Sequence, residues 1–252
     1  LYLGEYPYYI EQEVNKAGAN FIQIQGAELA ISSKHDSLNL PEGTPRLESL
    51  KIYGTTLGKL IVESNEAETE VAPLLNYRMK EYYVPVTNQI LEFAGRLGAL
   101  TNTVVTTDEN NNVLEVATEL GYLEIGTKLA VAIIPGELEP AIAYGGYLDA
   151  EGSAEGKSPD INPTPLLQIA NDDNMLIFCL SNDFTGYVVP PNDFYLNPNE
   201  PYINGARDRL DRRHYEETNS LGPETAPIVA SVFTGIIDTV NKTKAEAEKA
   251  VK

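Results

Sequence analysis

The chain has 252 residues, 42% of them apolar, and a formal net charge of −19 from 37 acidic against 18 basic side chains. That is enough apolar chain for a sizeable core, while the acidic surface excludes nucleic acid and anionic membrane surface as principal partners, because both carry charge of the same sign. A single cysteine excludes an intrachain disulfide framework, and no apolar run reaches the length of a membrane span, which argues against stable membrane insertion.

The first predicted helix runs from Pro7 to Lys16. Proline suits a first helical position, and Tyr9, Ile10, Glu13 and Val14 follow the helical period. Gly18 ends it. Phe21 to Gln25 alternates and predicts a strand closed by Gly26, and Ser32 to Pro45 is a polar loop. Leu47 to Glu63 places Leu47, Leu50, Tyr53 or Gly54, Leu57, Leu60 and Ile61 on one helix face. An acidic loop over 65–73 leads to an extended stretch from Leu75 to Val86, a short helix from Asn88 to Leu97 closed by Gly98, and a β-branched strand from Thr103 to Thr107.

Asp108 to Asn112 is a strong turn signal. Gly121 to Gly136 predicts two strands around Gly126. The second, Leu129 to Ile134, is apolar at every position, as in a strand covered on both faces. Residues 145–165 have no period and read as a loop or insertion. Met175 to Leu180 is a second fully apolar strand and encloses Cys179, which reads as a small buried hydrophobe. Proline and asparagine dominate Val189 to Arg213, and a long helix runs from Pro227 to about Ala250 with solvent-type last turns. These elements predict an α/β fold, a mixed β-sheet with flanking helices, in a single domain over 1–252. The chain begins at Leu1 and not Met, which reads as a mature or truncated product that a targeting segment can have preceded.

Chemistry-bearing residues concentrate between Ile133 and Pro223, just past strand ends, where α/β proteins keep their sites. Pro135-Gly136-Glu137 follows the first buried strand, and Ser181-Asn182-Asp183-Phe184-Thr185-Gly186-Tyr187 follows the second. His214-Tyr215-Glu216 and Leu221-Gly222-Pro223 lie beyond. Of the two histidines, His35 and His214, only His214 has suggestive neighbours. Nucleophilic triad chemistry is disfavoured, because Cys179 sits inside an apolar strand. No HExxH, His-x-His or CxxC occurs, so the chain alone cannot fill a conventional zinc site. Glu137 reads either as a carboxylate ligand or as a cap on the element after Gly136, and Tyr187 as a ligand or as a packed phenol. The run Arg207 to Arg213, interleaved with Asp208 and Asp211, reads as a salt-bridged surface element. Gly145-Gly146 lacks the strand-to-helix context of a phosphate loop.

The segments LAVAIIPGE (Leu129–Glu137) and CLSNDFTGYVV (Cys179–Val189), with His214-Tyr215-Glu216 and Ser220-Leu221-Gly222-Pro223, resemble the neutral/alkaline non-lysosomal ceramidase family in order and surroundings. Glu5-Tyr6-Pro7-Tyr8-Tyr9-Ile10, Phe21 to Ala27 and Leu47 to Val62 are similar to its early helix, strand and second helix. The resemblance implies the C-terminal portion of a zinc amidohydrolase domain that cleaves N-acylsphingosines or related acyl-amides. It implies Glu137 and Tyr187 as zinc ligands, Tyr215 as a contact to the substrate amide or oxyanion, and Asn182 and His214 as supporting residues. It also implies a secreted or cell-surface protein with a small lipid or acyl-amide substrate.

The family's zinc histidines lie upstream of the part that resembles Leu1, and His35 and His214 do not match them. The resemblance therefore implies half a metal site, either completed by an N-terminal segment or another chain or belonging to a homologue with no catalytic metal. Its Gly-Asp after Gln-Gly-Ala is replaced by Glu28-Leu29, 144–165 is an insertion loop, 227–252 is the C-terminal helix, and the family's immunoglobulin-like domain has no counterpart. The rival reading is a non-catalytic extracellular binding protein that retains the fold.

Overall fold

The structure, a computed structural model, describes residues 5–31, 39–64, 70–107, 112–126 and 129–250. His35 and most of the turn at 108–112 lie outside them. The chain forms two compact units, one of residues 1–24 and 31–70, the other of residues 25–30 and 71–252.

In the first unit α1 (Glu5–Lys16) packs on α2 (Arg46–Glu63). The contact is made by glycines. A Cβ at Gly54 would collide with the Tyr6 carbonyl and the Tyr9 side chain, and one at Gly58 would stand 2.7 Å from Glu13 Cβ. Two glycines four apart remove one ridge of α2 and let the α1 backbone come close. The expected apolar face of α2 is accordingly only partly used. Leu50 is buried, whereas Leu47, Leu60 and Ile61 are exposed. Tyr6 and Tyr53 meet edge to face at 5.3 Å.

The predicted strand at Phe21 to Gln25 does not form. Its alternation has no surface to cover, and Ile22 is 81% exposed. At its last residue, Gln25 O accepts a hydrogen bond from Cys179 N at 2.8 Å.

The second unit is built on a five-stranded mixed sheet. It comprises β1 (Leu75–Pro85), β2 (Thr103–Thr107), β3 (Asn112–Ile125), β4 (Leu129–Ile133) and, later in the chain, a short strand Leu176–Phe178. Between β1 and β2 lies α3 (Gln89–Arg96), whose first turn is capped by Asn88 Oδ1 accepting from Ile90 N and Leu91 N. The 14-residue β3 organises the sheet. β1 pairs antiparallel along one side, and β2 and β4 share the other. β4 meets expectation as a doubly covered strand, with Val131, Ala132 and the following Ile134 fully enclosed.

After β4 come β5 (Glu137–Leu138), α4 (Pro140–Tyr144) and α5 (Leu166–Ala170). The fully apolar run Met175 to Leu180 is shorter as a strand than expected. Only Leu176–Phe178, now β6, pairs with β4, in parallel. It is an edge strand, so Leu176 faces out while Ile177 and Cys179 are buried. Burial pushes the Cys179 thiol up to about 11, consistent with a packing role.

The remaining elements are β7 (Tyr187–Val188), β8 (Ala206–Arg207), β9 (Arg213–His214) and α6 (Thr225–Ala250). α6 buries Val229, Phe233, Ile236, Ile237 and Val240 in the same core as Val84, Leu120 and Ala132. The mixed sheet with flanking helices is the α/β architecture expected from the pattern.

Beyond the sheet, residues 180–186 run alongside residues 134–137. Ser181 N donates to Ile134 O, Leu180 N to Gly136 O, Thr185 N to Pro135 O, and Glu137 N to Gly186 O. The result is the parallel pair β5–β7, with Glu137 opposite Tyr187 and Leu138 opposite Val188. Gly186 has φ +86°, and a Cβ there would collide with Asn219 O. Gly186→Ala is expected to cost about 3 kcal/mol from backbone strain plus the clash. Gly98→Ala, also at positive φ but with open space around it, should cost about 1 kcal/mol. Urea denaturation of the two variants checks this, and equal losses would show that the Asn219 contact does not constrain the site.

Candidate functional site

The β5–β7 pair sets the geometry. In paired strands alternate residues face opposite sides. Leu138 and Val188 are fully buried, and Glu137 and Tyr187 stand side by side on the other face. Tyr215, which follows β9, meets Tyr187 edge to face with ring centroids 6.4 Å apart. Among the described residues, neither the Glu137 carboxylate nor the Tyr187 and Tyr215 hydroxyls are committed to a hydrogen bond.

The electrostatics tie five groups together. Partial burial and the nearby charge of Glu28 push the Glu137 carboxyl above its usual range. Burial raises Glu28 as well. The Tyr187 phenol is raised by burial, Glu137, Tyr215 and Glu216, and the Tyr215 phenol by burial, Glu216 and Glu137. Both phenols therefore stay protonated at neutral pH. Glu137, Tyr187 and Tyr215 are thus brought into one oxygen-rich face, joined by Glu28 and Glu216.

The other two expected site residues are placed elsewhere. Asn182, at φ +70°, donates from Nδ2 to Glu119 Oε1 on β3 at 3.0 Å. His214 is buried and both ring nitrogens are engaged. Nδ1 lies 3.0 Å from Glu217 Oε1, and Nε2 lies 3.2 Å from Asp208 Oδ2. Arg212 extends the network, with Nε 2.8 Å from Asp208 Oδ2 and Nη2 2.8 Å from Asp193 Oδ1. The run Arg207 to Arg213 is salt-bridged as expected, but it is not all surface, because the Asp208 side chain is fully enclosed.

Ligand atoms of Asp193, Asp208 and His214 lie within 4.8 Å of one another, a spacing a metal ion could use. Most of their ligand atoms are already committed. Asp193 Oδ1 accepts from Ala154 N and Arg212, and Asp208 accepts from Leu210 N, Arg212 N, the Arg212 side chain and His214. A guanidinium already supplies the positive charge, so this set fits an ion-pair network and not a zinc site. Burial alone would raise Asp208, but the Arg212, Leu210 and His214 donors hold it well below the usual carboxylate range.

A cavity of about 310 Å³ opens beside these groups. Glu139 and Val189 lie on the same face of the β5–β7 pair as Glu137 and Tyr187, two residues further along, and both line it. Residues 146–148 form another wall. The 144–165 segment that carries them is held in place by Arg209, which donates to the Ala150, Glu151 and Ser153 carbonyls.

Among solved structures, the crystal structure of neutral ceramidase from Pseudomonas aeruginosa matches with a TM-score of 0.53 at 11% sequence identity, covering 96% of this chain and 41% of that one. The chain has a ceramidase-like fold. It spans about two fifths of the length of that structure. No protein-family model matches, and no curated protein matches. Among the described residues no helix is long and apolar enough to cross a membrane.

Sequence reasoning missed Asp193, Glu217 and the contact of Glu28 with Glu137. The spacings Asp208/Arg212 and His214/Glu217, four and three apart, were visible signals for the network. Burial of Glu28 beside Glu137 depends on the chain return at 25–30, which no local pattern announces.

For His214, burial alone would lower the imidazole, but hydrogen bonds and charge from Glu217 and Asp208, with Asp193, raise it above 6.5. Arg212 is the cation in the same network. A folded-state value above the unfolded one stabilises the fold fully below pH 6.5, and that contribution disappears as pH rises through the folded value. Unfolding free energy should therefore fall on the alkaline side in the native chain and stay flatter in His214→Gln. Parallel pH curves for the two proteins would refute the role of the imidazolium.

Proposed function

We propose that this ceramidase-like chain is the C-terminal part of a zinc-dependent amide hydrolase acting on N-acylsphingosine or a related acyl-amide. The observation that carries the reading is the side-by-side placement of Glu137 and Tyr187, two uncommitted oxygen donors fixed by backbone pairing. A catalytic zinc site takes protein ligands and keeps one position open for water, so the pair supplies part of such a set. The remaining ligands would come from an N-terminal segment or a partner chain carrying imidazoles, since His214 is engaged at both nitrogens.

Glu137 and Tyr187 would hold the zinc, which would supply Lewis-acid polarisation of the carbonyl and activation of water. Tyr215 stays protonated and half exposed beside Tyr187, placed to donate a hydrogen bond to the oxyanion that develops on the amide. His214 and its carboxylates position Tyr215 through β9 without touching substrate. Asn182 would act only by holding the 180–186 turn against β3. The reading includes a secreted or cell-surface location and a small lipid or acyl-amide substrate.

A second reading, a non-catalytic binding protein on the same fold, is favoured by one observation. Glu28 crowds Glu137 with a second carboxylate. Metal analysis and an acyl-amide hydrolysis panel on the complete gene product separate the two. The hydrolase reading expects one bound zinc, lost together with activity in Glu137→Ala, and zinc affinity lowered by about tenfold or more in Tyr187→Phe. Zinc-free native protein, or full activity in Glu137→Ala, would refute it.

A further inference from the structure

Asn88 is fully enclosed, and both ends of its amide are used twice. Oδ1 accepts from Ile90 N at 3.1 Å and Leu91 N at 3.3 Å, which caps α3. Nδ2 donates to Thr218 O at 3.2 Å and Ser220 O at 2.9 Å, 130 and 132 residues away in the chain. Both partners at one end are N–H groups and both at the other are carbonyls, so the amide has a single orientation. Capping alone does not ask for this residue, because Ser and Asp cap a helix about as well. Neither of them carries two N–H donors. The Thr218 and Ser220 carbonyls therefore select the amide. Backbone bonds reinforce the clamp, with Thr87 N and Asn88 N both donating to Leu221 O, at 2.9 and 3.1 Å.

The segment held in this way carries the site. Thr218 donates to Tyr215 O twice, from its backbone N at 3.1 Å and from Oγ1 at 2.6 Å. Asn219 O occupies the place a Cβ would take at Gly186, and Gly186 O accepts from Glu137 N at 3.0 Å. Tyr187 follows Gly186 directly. Residues 215–220 thus bear on the backbone at each of the three groups of the oxygen-rich face. We propose that Asn88 is a positioning residue for Glu137, Tyr187 and Tyr215, fixing residues 218–220 so that Tyr215 meets Tyr187 and Gly186 keeps its turn. Being enclosed, Asn88 touches no substrate. That the positioning serves hydrolysis rests on the hydrolase reading, whereas the positioning itself needs no metal and no substrate.

The test is nuclear magnetic resonance of the metal-free 252-residue chain with labelled tyrosine. The readout is the nuclear Overhauser effect between the rings of Tyr187 and Tyr215, whose centroids lie 6.4 Å apart. Tyr187→Phe and Tyr215→Phe assign the two signals. Asn88→Asp keeps the shape and the cap acceptor but cannot donate, and Asn88→Ser keeps the acceptor without the amide. Thr218→Val breaks the Oγ1 link to Tyr215 and leaves α3 untouched. Each is expected to lower the ring-to-ring effect by about twofold or more, because the supporting hydrogen bonds set the geometry of a site. Leu91→Ala, at a side chain packed on the core beside the cap, loosens α3 but spares both donors, and should retain the native effect. Circular dichroism identifies the folded variants. A native-strength effect in folded Asn88→Asp or Asn88→Ser, or an equal loss in Leu91→Ala, overturns the assignment. So does a native-strength effect in Thr218→Val, which decides the matter where the Asn88 variants do not fold. In a hydrolytically active complete gene product the same variants should lower kcat with KM near native, and an unchanged kcat would remove the catalytic part of the role. Absence of hydrolysis by the native product counts against the hydrolase reading alone.

Discussion

Two residues of parallel backbone pairing, Glu137–Leu138 against Tyr187–Val188, are the constraint on which the site depends. The main sheet ends at Ile133 on β4 and Phe178 on β6, themselves paired in parallel. The chain leaves both strands in the same direction. Hydrogen bonds from Leu180, Ser181 and Thr185 to residues 134–136 keep the two exits together until β5 and β7 form. The side-chain period of two then does the sorting. Leu138 and Val188 anchor the pair in apolar surroundings, Glu137 and Tyr187 emerge together, and Glu139 and Val189 reach the cavity beyond. Gly186 permits this because its positive φ and missing Cβ accommodate the carbonyl of Asn219. That contact also holds the turn that follows Tyr215.

A second alternation separates charge from chemistry around β9. His214 points inward to Glu217 and Asp208, while its neighbour Tyr215 is half exposed beside Tyr187. Buried ion pairs are poor sources of net stability, because desolvation offsets attraction, but removing one member leaves an uncompensated charge. Such a network tolerates few alternative arrangements. That makes Arg212, His214 and their carboxylates a network that fixes the backbone carrying Tyr215 and part of the cavity wall.

Elements with a strong local period were legible in the sequence. α1, α2, α3, α6, β1 and the apolar β4 all stand close to where residue spacing puts them. The α/β layering follows from them. Three features were not legible, each for a physical reason. The face α2 presents to α1 is set by absent side chains at Gly54 and Gly58, which a count of apolar residues cannot register. Phe21 to Gln25 carries strand alternation but no ladder, since pairing is decided by distant chain. β5 and β7 are too short to show a period at all, although the residues they carry were singled out from their place beyond strand ends and from the family resemblance. The buried network was half visible, as helical-type spacings inside a segment that is not helical. It is tied to the 144–165 segment through Ala154 N, which donates to Asp193 Oδ1, and through neighbouring Arg209, both long-range contacts.

The two acid-rich regions share one electrostatic logic. In a chain of net charge −19, partial burial and the field of Glu28 raise the affinity of Glu137 for protons, and burial raises that of Glu28. A proton relieves that strain, and so does any cation placed between the carboxylates. Around the cavity the same excess is partly neutralised by Arg212 and His214, while Glu139 and Glu216 line it without a cation partner among the described residues. The β5–β7 pair joins the two regions along one face. Its near end offers a half-buried carboxylate with two phenols, and its far end opens on a cavity with largely apolar walls.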